Sequence, residues 1–446
     1  MKAKSILLLL FLLAVGFAVH ADKILPYQII QKKLPNGLNV VTVPFPSPGV
    51  ASFHIVVRVG SRDEVEKGKT GFAHFFEHMM FRGTEKYSKE LYSDALKATG
   101  ASANANTSLD RTVYHMTGSA KYLEKMFELE ADRFMNLKYS VQDFKTEAGA
   151  VKGEYTKNNA SPYTRLYEAV NNTAFDKHTY KHTTMGFFED IVAMPDQYDF
   201  SLEFFDRYYR PEYCTIIVVG DVDPGQVNSL AMTYFGDWKK GSYTQSIPVE
   251  PAPTATRTVN VKAEKFPPYL DLKFRGPAFS TQNNDYQALV LLGQLLSSEK
   301  SELHKQLVME ERTARSLSGG IFPTRDPYLF SLSASLTNAA DFPKVKKRML
   351  DAISKFQTNA VSESELNAAK ERVKYSFALA MDNPDAIANS LGQFTWLTGD
   401  PESLNASYAI LQSVTADDIM RVAKKYLVSK GMTIGTISPV DNPVLD

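Results

Sequence analysis

Residues 70–81 read Thr70-Gly71-Phe72-Ala73-His74-Phe75-Phe76-Glu77-His78-Met79-Met80-Phe81. This run has helical length, with Ala73, Phe76 and Met80 as apolar positions around polar ones. His74 and His78 stand four residues apart, so a helix places both imidazoles on one face, within reach of a single metal ion. Glu77 directly precedes the second histidine. A hydrolytic zinc site uses three protein donors and keeps one position open, so a third donor must come from elsewhere in the chain. A second helix, predicted over 141–158, offers Glu147 and Glu154 seven residues apart and therefore on a shared face. From the residues alone either carboxylate could ligate, and either could be a solvated helix charge.

Outward from this motif, 37–44 and 50–61 are strand candidates, and 89–99 is a helix stopped by Gly100 at its C′ position. Two extended segments, 101–108 and 111–119, are joined at Leu109-Asp110. Helices follow over 120–137 and 141–158, and Ser140 three residues before Asp143 marks the start of the second. Residues 240–257 are rich in Pro, Ser, Thr and Gly, the composition of a linker. The stretches on either side echo each other, each with a helix, ending at Tyr209 or Tyr426, that leads into an apolar strand: Thr215-Ile216-Ile217-Val218-Val219-Gly220 in one, Thr433-Ile434-Gly435-Thr436-Ile437 in the other. The expected fold class is α+β, with two homologous domains, each an antiparallel-rich sheet packed with helices. The expected division is 1–21 signal segment, 22–240 first domain, 241–257 linker and 258–446 second domain.

Composition narrows the function. The 446 residues hold 50 Lys+Arg against 50 Asp+Glu, so no chain-wide basic field exists for nucleic acid. The Phe and Tyr residues lack the basic interleaving of a base-stacking surface. One cysteine, Cys214, forms no internal disulfide and sits in an apolar run that reads as a buried strand. Lys2 and Lys4 followed by the apolar run 6–19 and Val19-His20-Ala21 read as a secretory signal, whose removal leaves a formal charge of −2. No later stretch has the length and apolarity of a membrane span. Four glycosylation sequons begin at Asn106, Asn159, Asn171 and Asn405. The chain is expected to be exported, to a periplasm in preference to an extracellular space, and to come from a bacterial envelope in preference to a eukaryotic secretory route, since a glycan on Asn106 would obstruct the edge strand described next.

The inverted His-x-x-Glu-His order within 71–84, together with the downstream glutamate pair, resembles the pitrilysin family of zinc peptidases. The resemblance extends to Leu34-Pro35-Asn36-Gly37-Leu38, Asn104-Ala105-Asn106-Thr107-Ser108 and Val219-Gly220-Asp221-Val222-Asp223. It implies one half of a clamshell chamber, one zinc ion per chain held by His74, His78 and Glu154, and Glu147 behind them. It makes Glu77 the base that takes a proton from a zinc-activated water. It also implies that Asn104, Ala105 and Asn106 form an edge strand on which an extended peptide substrate aligns.

One part of the pattern is broken. One-piece members of the family carry an Arg and a Tyr seven residues apart in the second half. Aligned on 307–316, those positions hold Val308 and Arg315, and valine offers no donor to a developing oxyanion. Arg312 or Arg315 is a candidate substitute. The second half has no His-x-x-Glu-His, its sole histidine being His304. The expected assembly is therefore a hetero-oligomer with a paralogous subunit that carries the Arg and Tyr, or a homodimer. The competing reading is a non-catalytic structural or assembly subunit with the processing-peptidase fold. His178 and His182 are read as loop residues with structural roles. His54 and His115, in predicted strands with no paired carboxylate nearby, are read as packing or surface residues.

Overall fold

The computed structural model describes residues 23–445; the expected signal segment lies outside them. Strands β1 (Ile30–Lys33), β2 (Asn39–Pro44), β3 (Val50–Val57), β4 (Ser102–Thr107), β5 (Thr112–Ser119) and β6 (Cys214–Gly220) form one sheet in the order β1-β2-β6-β3-β5-β4. Only β2 and β6 pair in parallel. Strands β7 (Arg257–Lys262), β8 (Tyr269–Arg275), β9 (Ala314–Ile321), β10 (Leu329–Leu336) and β11 (Met432–Ser438) form a second sheet, ordered β7-β11-β8-β10-β9. Here too a single parallel pair, β7 with β11, stands among antiparallel ones.

The two orders superpose when β2 is matched to β7, β6 to β11, β3 to β8, β5 to β10 and β4 to β9. In each half the last strand returns to insert between the first two of that set. The echo between 215–220 and 433–437 is this inserted strand, buried along its whole length in both halves because it lies inside the sheet and is covered on both faces. Cys214 opens β6 and is buried.

Element limits depart from the sequence reading where turns intervene. The strand expected over 50–61 ends at Val57, because Gly60 N–H bonds the Asp63 carboxylate and the chain folds into a short turn, Ser61–Asp63. The helix expected from residue 120 starts at Leu123 after a tight turn over Ala120–Tyr122. Gly100 ends the helix Lys89–Thr99 with φ 67°, the left-handed conformation that glycine adopts without steric cost.

The first sheet is covered on both faces, and strand alternation decides which side chain goes where. Along β3, Ala51, Phe53, Ile55 and Val57 join the core that holds the motif helix, with Phe76, Phe127 and Phe204. Val56 points the other way. With Val41, Val113, Ile217 and Val219 it packs against Ile387, Ala388, Leu391, Phe394 and Trp396 of the helix Pro384–Thr398, a second-half element. Gly392 allows this approach: a Cβ there would lie 3.3 Å from Val56 Cγ2. Arg58 Nε donates to Trp396 O at 3.0 Å across the same seam. Among the described residues no helix is long and apolar enough to cross a membrane.

Candidate metal centre

The motif helix is Phe72–Met79, and its two faces carry different work. Phe72, Phe75, Phe76 and Met79, spaced i, i+3, i+4 and i+7, are fully buried. Burial of each such side chain contributes about 1.5–3 kcal/mol, which anchors the helix by its apolar stripe. His74, Glu77 and His78 occupy the remaining face. Phe76 stacks on Phe204 at a centroid separation of 5.3 Å, and Phe75 meets Phe144 edge-on at 5.0 Å.

Phe144 belongs to the helix Val141–Asn159, so this aromatic contact fixes the glutamate-bearing helix against the motif. Ser140 caps that helix through the expected reciprocal bonds with Asp143. Its buried stripe is Phe144, Glu147, Ala148, Val151 and Tyr155, which places Glu147 inside and leaves Glu154, two turns on, at the edge of the open face.

The N-terminus of the motif helix is held by a residue the sequence reading did not single out. Glu64 is 3% exposed, and its two carboxylate oxygens accept the backbone N–H groups of Gly71 and Ala73, each at 2.8 Å. Burial pushes the Glu64 carboxyl well up, and the two N–H bonds pull it back. Gly71, with φ 91°, makes the turn into the helix; a Cβ on it would meet Ile191 Cδ1 at 2.5 Å. We expect Glu64→Ala to orphan two buried donors at a cost of roughly 1–3 kcal/mol each. Denaturant unfolding of the metal-free chain reads that loss, and a variant as stable as wild type would contradict the role.

On the open face three donors converge. One ligand atom from each of His74, His78 and Glu154 lies within 4.8 Å of the others. Glu154 Oε2 is 3.3 Å from His78 Nε2 and 3.7 Å from His74 Nε2. Glu147 takes a different place: its Oε1 lies 2.8 Å from His78 Nδ1, and its Oε2 accepts from Arg82. The alternative left open by the sequence is thus separated by geometry, with Glu154 facing both imidazoles and Glu147 behind one of them. Burial pushes the His74 imidazole down, toward the neutral form that donates a lone pair. His78 moves up, chiefly through its hydrogen bond to Glu147. Burial would raise Glu147 itself, but the His78 and Arg82 bonds outweigh it and hold the carboxyl down.

Glu77 is held by Thr107, whose Oγ1 donates to Glu77 Oε2 at 2.6 Å. Thr107 ends β4, the terminal strand of its sheet, on which Asn104 and Asn106 are exposed and Ala105 is buried against β5. The predicted edge strand therefore runs up to the glutamate between the histidines. Arg111 Nη1 donates to Asn106 Oδ1 at 2.5 Å. Burial lowers the guanidinium to about 10, and the nearby Glu77 charge opposes that fall. Thr107 lies in the 104–108 stretch without an assigned role and Arg111 outside any motif; the strand pairing brings Thr107 to Glu77 and Arg111 to Asn106.

The remaining sequence candidates separate. His178 Nε2 pairs with Asp326 at 3.0 Å, whereas His182 Nδ1 bonds Thr183 O at 3.1 Å beside Glu64, so the two flank a short turn without converging. The reading of His54 and His115 as residues without a paired carboxylate is corrected. Asp385, 270 positions beyond His115, meets both rings, with Oδ1 at 3.0 Å from His54 Nε2 and 3.3 Å from His115 Nδ1. Arg315 lies exposed on β9, the terminal strand matched to β4, while Val308 is part of an irregular helical turn, 305–310. Arg312 adopts φ 54°, in the left-handed region.

Family models match in two blocks: "Insulinase (Peptidase family M16)" over residues 39–186, which contains every residue of the centre, and "Peptidase M16 inactive domain" over 197–373. The chain belongs to the pitrilysin-type peptidase family M16. Among its relatives, the zinc protease PqqE of Helicobacter pylori is 28% identical over 438 residues, covering 96% of each chain. The mitochondrial-processing peptidase subunit beta of Blastocladiella emersonii is 24% identical, over 92% of this chain and 88% of that one. A solved protease structure from Helicobacter pylori superposes with a TM-score of 0.85 at 27% identity, over 93% of this chain and 100% of the other. The Escherichia coli periplasmic protease PqqL, at 18% identity and a TM-score of 0.75, shares the fold over 94% of this chain but 48% of its own. A role as a peptidase of a zinc-dependent family follows at the family level. The donor set here fits that metal: two imidazoles and one carboxylate converge, one imidazole is backed by a carboxylate, and no fourth protein donor fills the cluster among the described residues.

Proposed function

We propose that this chain is an exported zinc endopeptidase that hydrolyses unfolded peptides or small proteins, with one ion held by His74, His78 and Glu154 and with Glu77 as general base. The observation that carries the reading is the placement of Glu77 between the convergent donors and the free edge of β4. When bound, zinc supplies Lewis-acid polarisation of a carbonyl and acidification of water.

The protein's own residues do the rest. An extended peptide adds to the β4 edge at Asn104, Ala105 and Asn106 through main-chain hydrogen bonds, which demand little of its sequence. Thr107 occupies Oε2 of Glu77, leaving Oε1 to take the proton of the attacking water and pass it to the leaving amine. Glu147, anchored by Arg82, fixes the His78 ring so that Nε2 faces the ion position.

The oxyanion donors are the missing part, since Val308 has none. We infer a second subunit of similar fold that supplies them and closes a chamber over the site. The name of the Blastocladiella relative marks it as one subunit, and PqqL has about twice the length this fold needs. Periplasmic location rests on the reading of residues 1–21 and on PqqL being a periplasmic protein.

A quenched-fluorescence peptide assay on the full chain, alone and mixed with a paralogue carrying the Arg and Tyr, tests this. We expect chelator-sensitive cleavage that rises by about 100-fold or more on pairing, the usual worth of an oxyanion donor. Full activity from the homogeneous chain would remove the partner. A zinc-loaded chain inactive in every pairing would make it an assembly subunit.

A further inference from the structure

A second group of metal-type donors lies on the opposite face of the same sheet. His54 and His115 are direct partners across the β3–β5 pair, as are Ser52 and Thr117. All four side chains project toward the helix Pro384–Thr398, whose first turn presents Asp385. The ligand atoms of His54, His115 and Asp385 lie within 4.8 Å of one another, the same limit met by the first centre.

The contacts crowd one atom. Asp385 Oδ1 has His54 Nε2 at 3.0 Å, Thr117 Oγ1 at 3.2 Å, and Ser52 Oγ and His115 Nδ1 at 3.3 Å. A carboxylate oxygen offers about two lone pairs, and Ser52 and Thr117 also bond each other at 2.9 Å, so the two imidazoles are left as the principal partners of Oδ1, both on one atom. Donor atoms about 2.0–2.1 Å from a tetrahedral ion are roughly 3.3 Å apart, close to the separations seen here and to the 3.3 and 3.7 Å of the first centre. In both centres the more buried histidine, His54 or His74, has an unpartnered Nδ1. Asp385 and His115 have side chains 43% and 25% exposed, which leaves an ion a path from solvent to the buried His54.

We propose that His54, His115 and Asp385 form a second divalent metal site, which ties the first-half sheet to the second-half helix. Two imidazoles and one carboxylate select a zinc-class ion over magnesium or calcium. Its place at the seam gives it a structural function: an ion there clasps Pro384–Thr398 over the apolar contacts of Val56 and Ile217, on the sheet face opposite the peptidase motif. The site does not depend on the proposed proteolysis.

Equilibrium dialysis of the full metal-stripped chain against buffered zinc, with metal counted by mass spectrometry, is the test. Wild type is expected to hold two ions and the His74→Ala/His78→Ala chain one. Adding Asp385→Asn or, separately, His115→Ala to that double variant is expected to remove the remaining ion. Zinc is also expected to raise the melting temperature of His74→Ala/His78→Ala by a few degrees and to leave its Asp385→Asn derivative unmoved. Cobalt in place of zinc should give a tetrahedral visible spectrum in the double variant. A folded His74→Ala/His78→Ala chain that binds no zinc would overturn the site, as would an ion that persists in both the Asp385→Asn and His115→Ala derivatives. His115→Ala, at a partly exposed position, keeps the test decisive where Asp385→Asn fails to fold.

Discussion

Glu77→Gln is expected to hold zinc at wild-type affinity and to lose peptide hydrolysis by about 10²- to 10⁴-fold, the range in which a positioned proton acceptor contributes. The two outcomes separate because Glu77 is not one of the converging donors. His74, His78 and Glu154 meet without it, and its Oε2 is already committed to Thr107. Glutamine keeps the size of the side chain and its hydrogen bond to the threonine but cannot take a proton. The loss should therefore fall in kcat with little change in KM. Zinc content by mass spectrometry beside steady-state kinetics checks it. A variant that cleaves at the wild-type rate would remove Glu77 from the chemistry, and one that loses zinc would make it a ligand.

The second large effect is expected at Glu154. Glu154→Gln is expected to weaken zinc binding by more than about 100-fold and to abolish activity at low free zinc. Glu147→Gln, which acts through the His78 ring, should weaken it by about 10- to 100-fold. The difference follows from position: Glu154 Oε2 faces both Nε2 atoms, whereas Glu147 bonds the far nitrogen of one imidazole. Acid should also release the ion. The Glu147 bond raises His78, so protons compete for this ring at a higher pH than for an ordinary histidine, and affinity falls as pH drops through that raised value. Competition titration with a chelating dye between pH 5 and 8 reads both effects. Equal losses for the two glutamines, or an affinity flat with pH, would contradict the assignment.

Much of this was legible because it is local. A 3.6-residue period puts His74, Glu77 and His78 on one side of a helix, which the sequence shows directly; of the apolar positions read there, Phe76 lies in the buried stripe, which Phe72, Phe75 and Met79 complete. The end at Gly100 and the start at Ser140 carry their own chemistry. The duplication showed in the inserted strands, since β6 and β11 are each buried along their whole length and follow a helix in the same place in each half. What sequence could not supply was pairing outside a periodic element. Glu64 caps the motif helix from a preceding loop, and no periodicity marks it. Thr107 reaches Glu77, and Arg111 reaches Asn106, through the pairing of β4 with β5. His54 and His115 have no carboxylate near them in sequence because Asp385 arrives from the other half of the chain.

The most direct test is a crystal structure of the zinc-loaded full chain. The expected result is an ion bound by His74 Nε2, His78 Nε2 and a Glu154 oxygen, with solvent at the fourth position in hydrogen-bond reach of Glu77. An ion at His74 and His78 bound without Glu154, or a fourth permanent protein donor in its solvent position, would contradict this assignment.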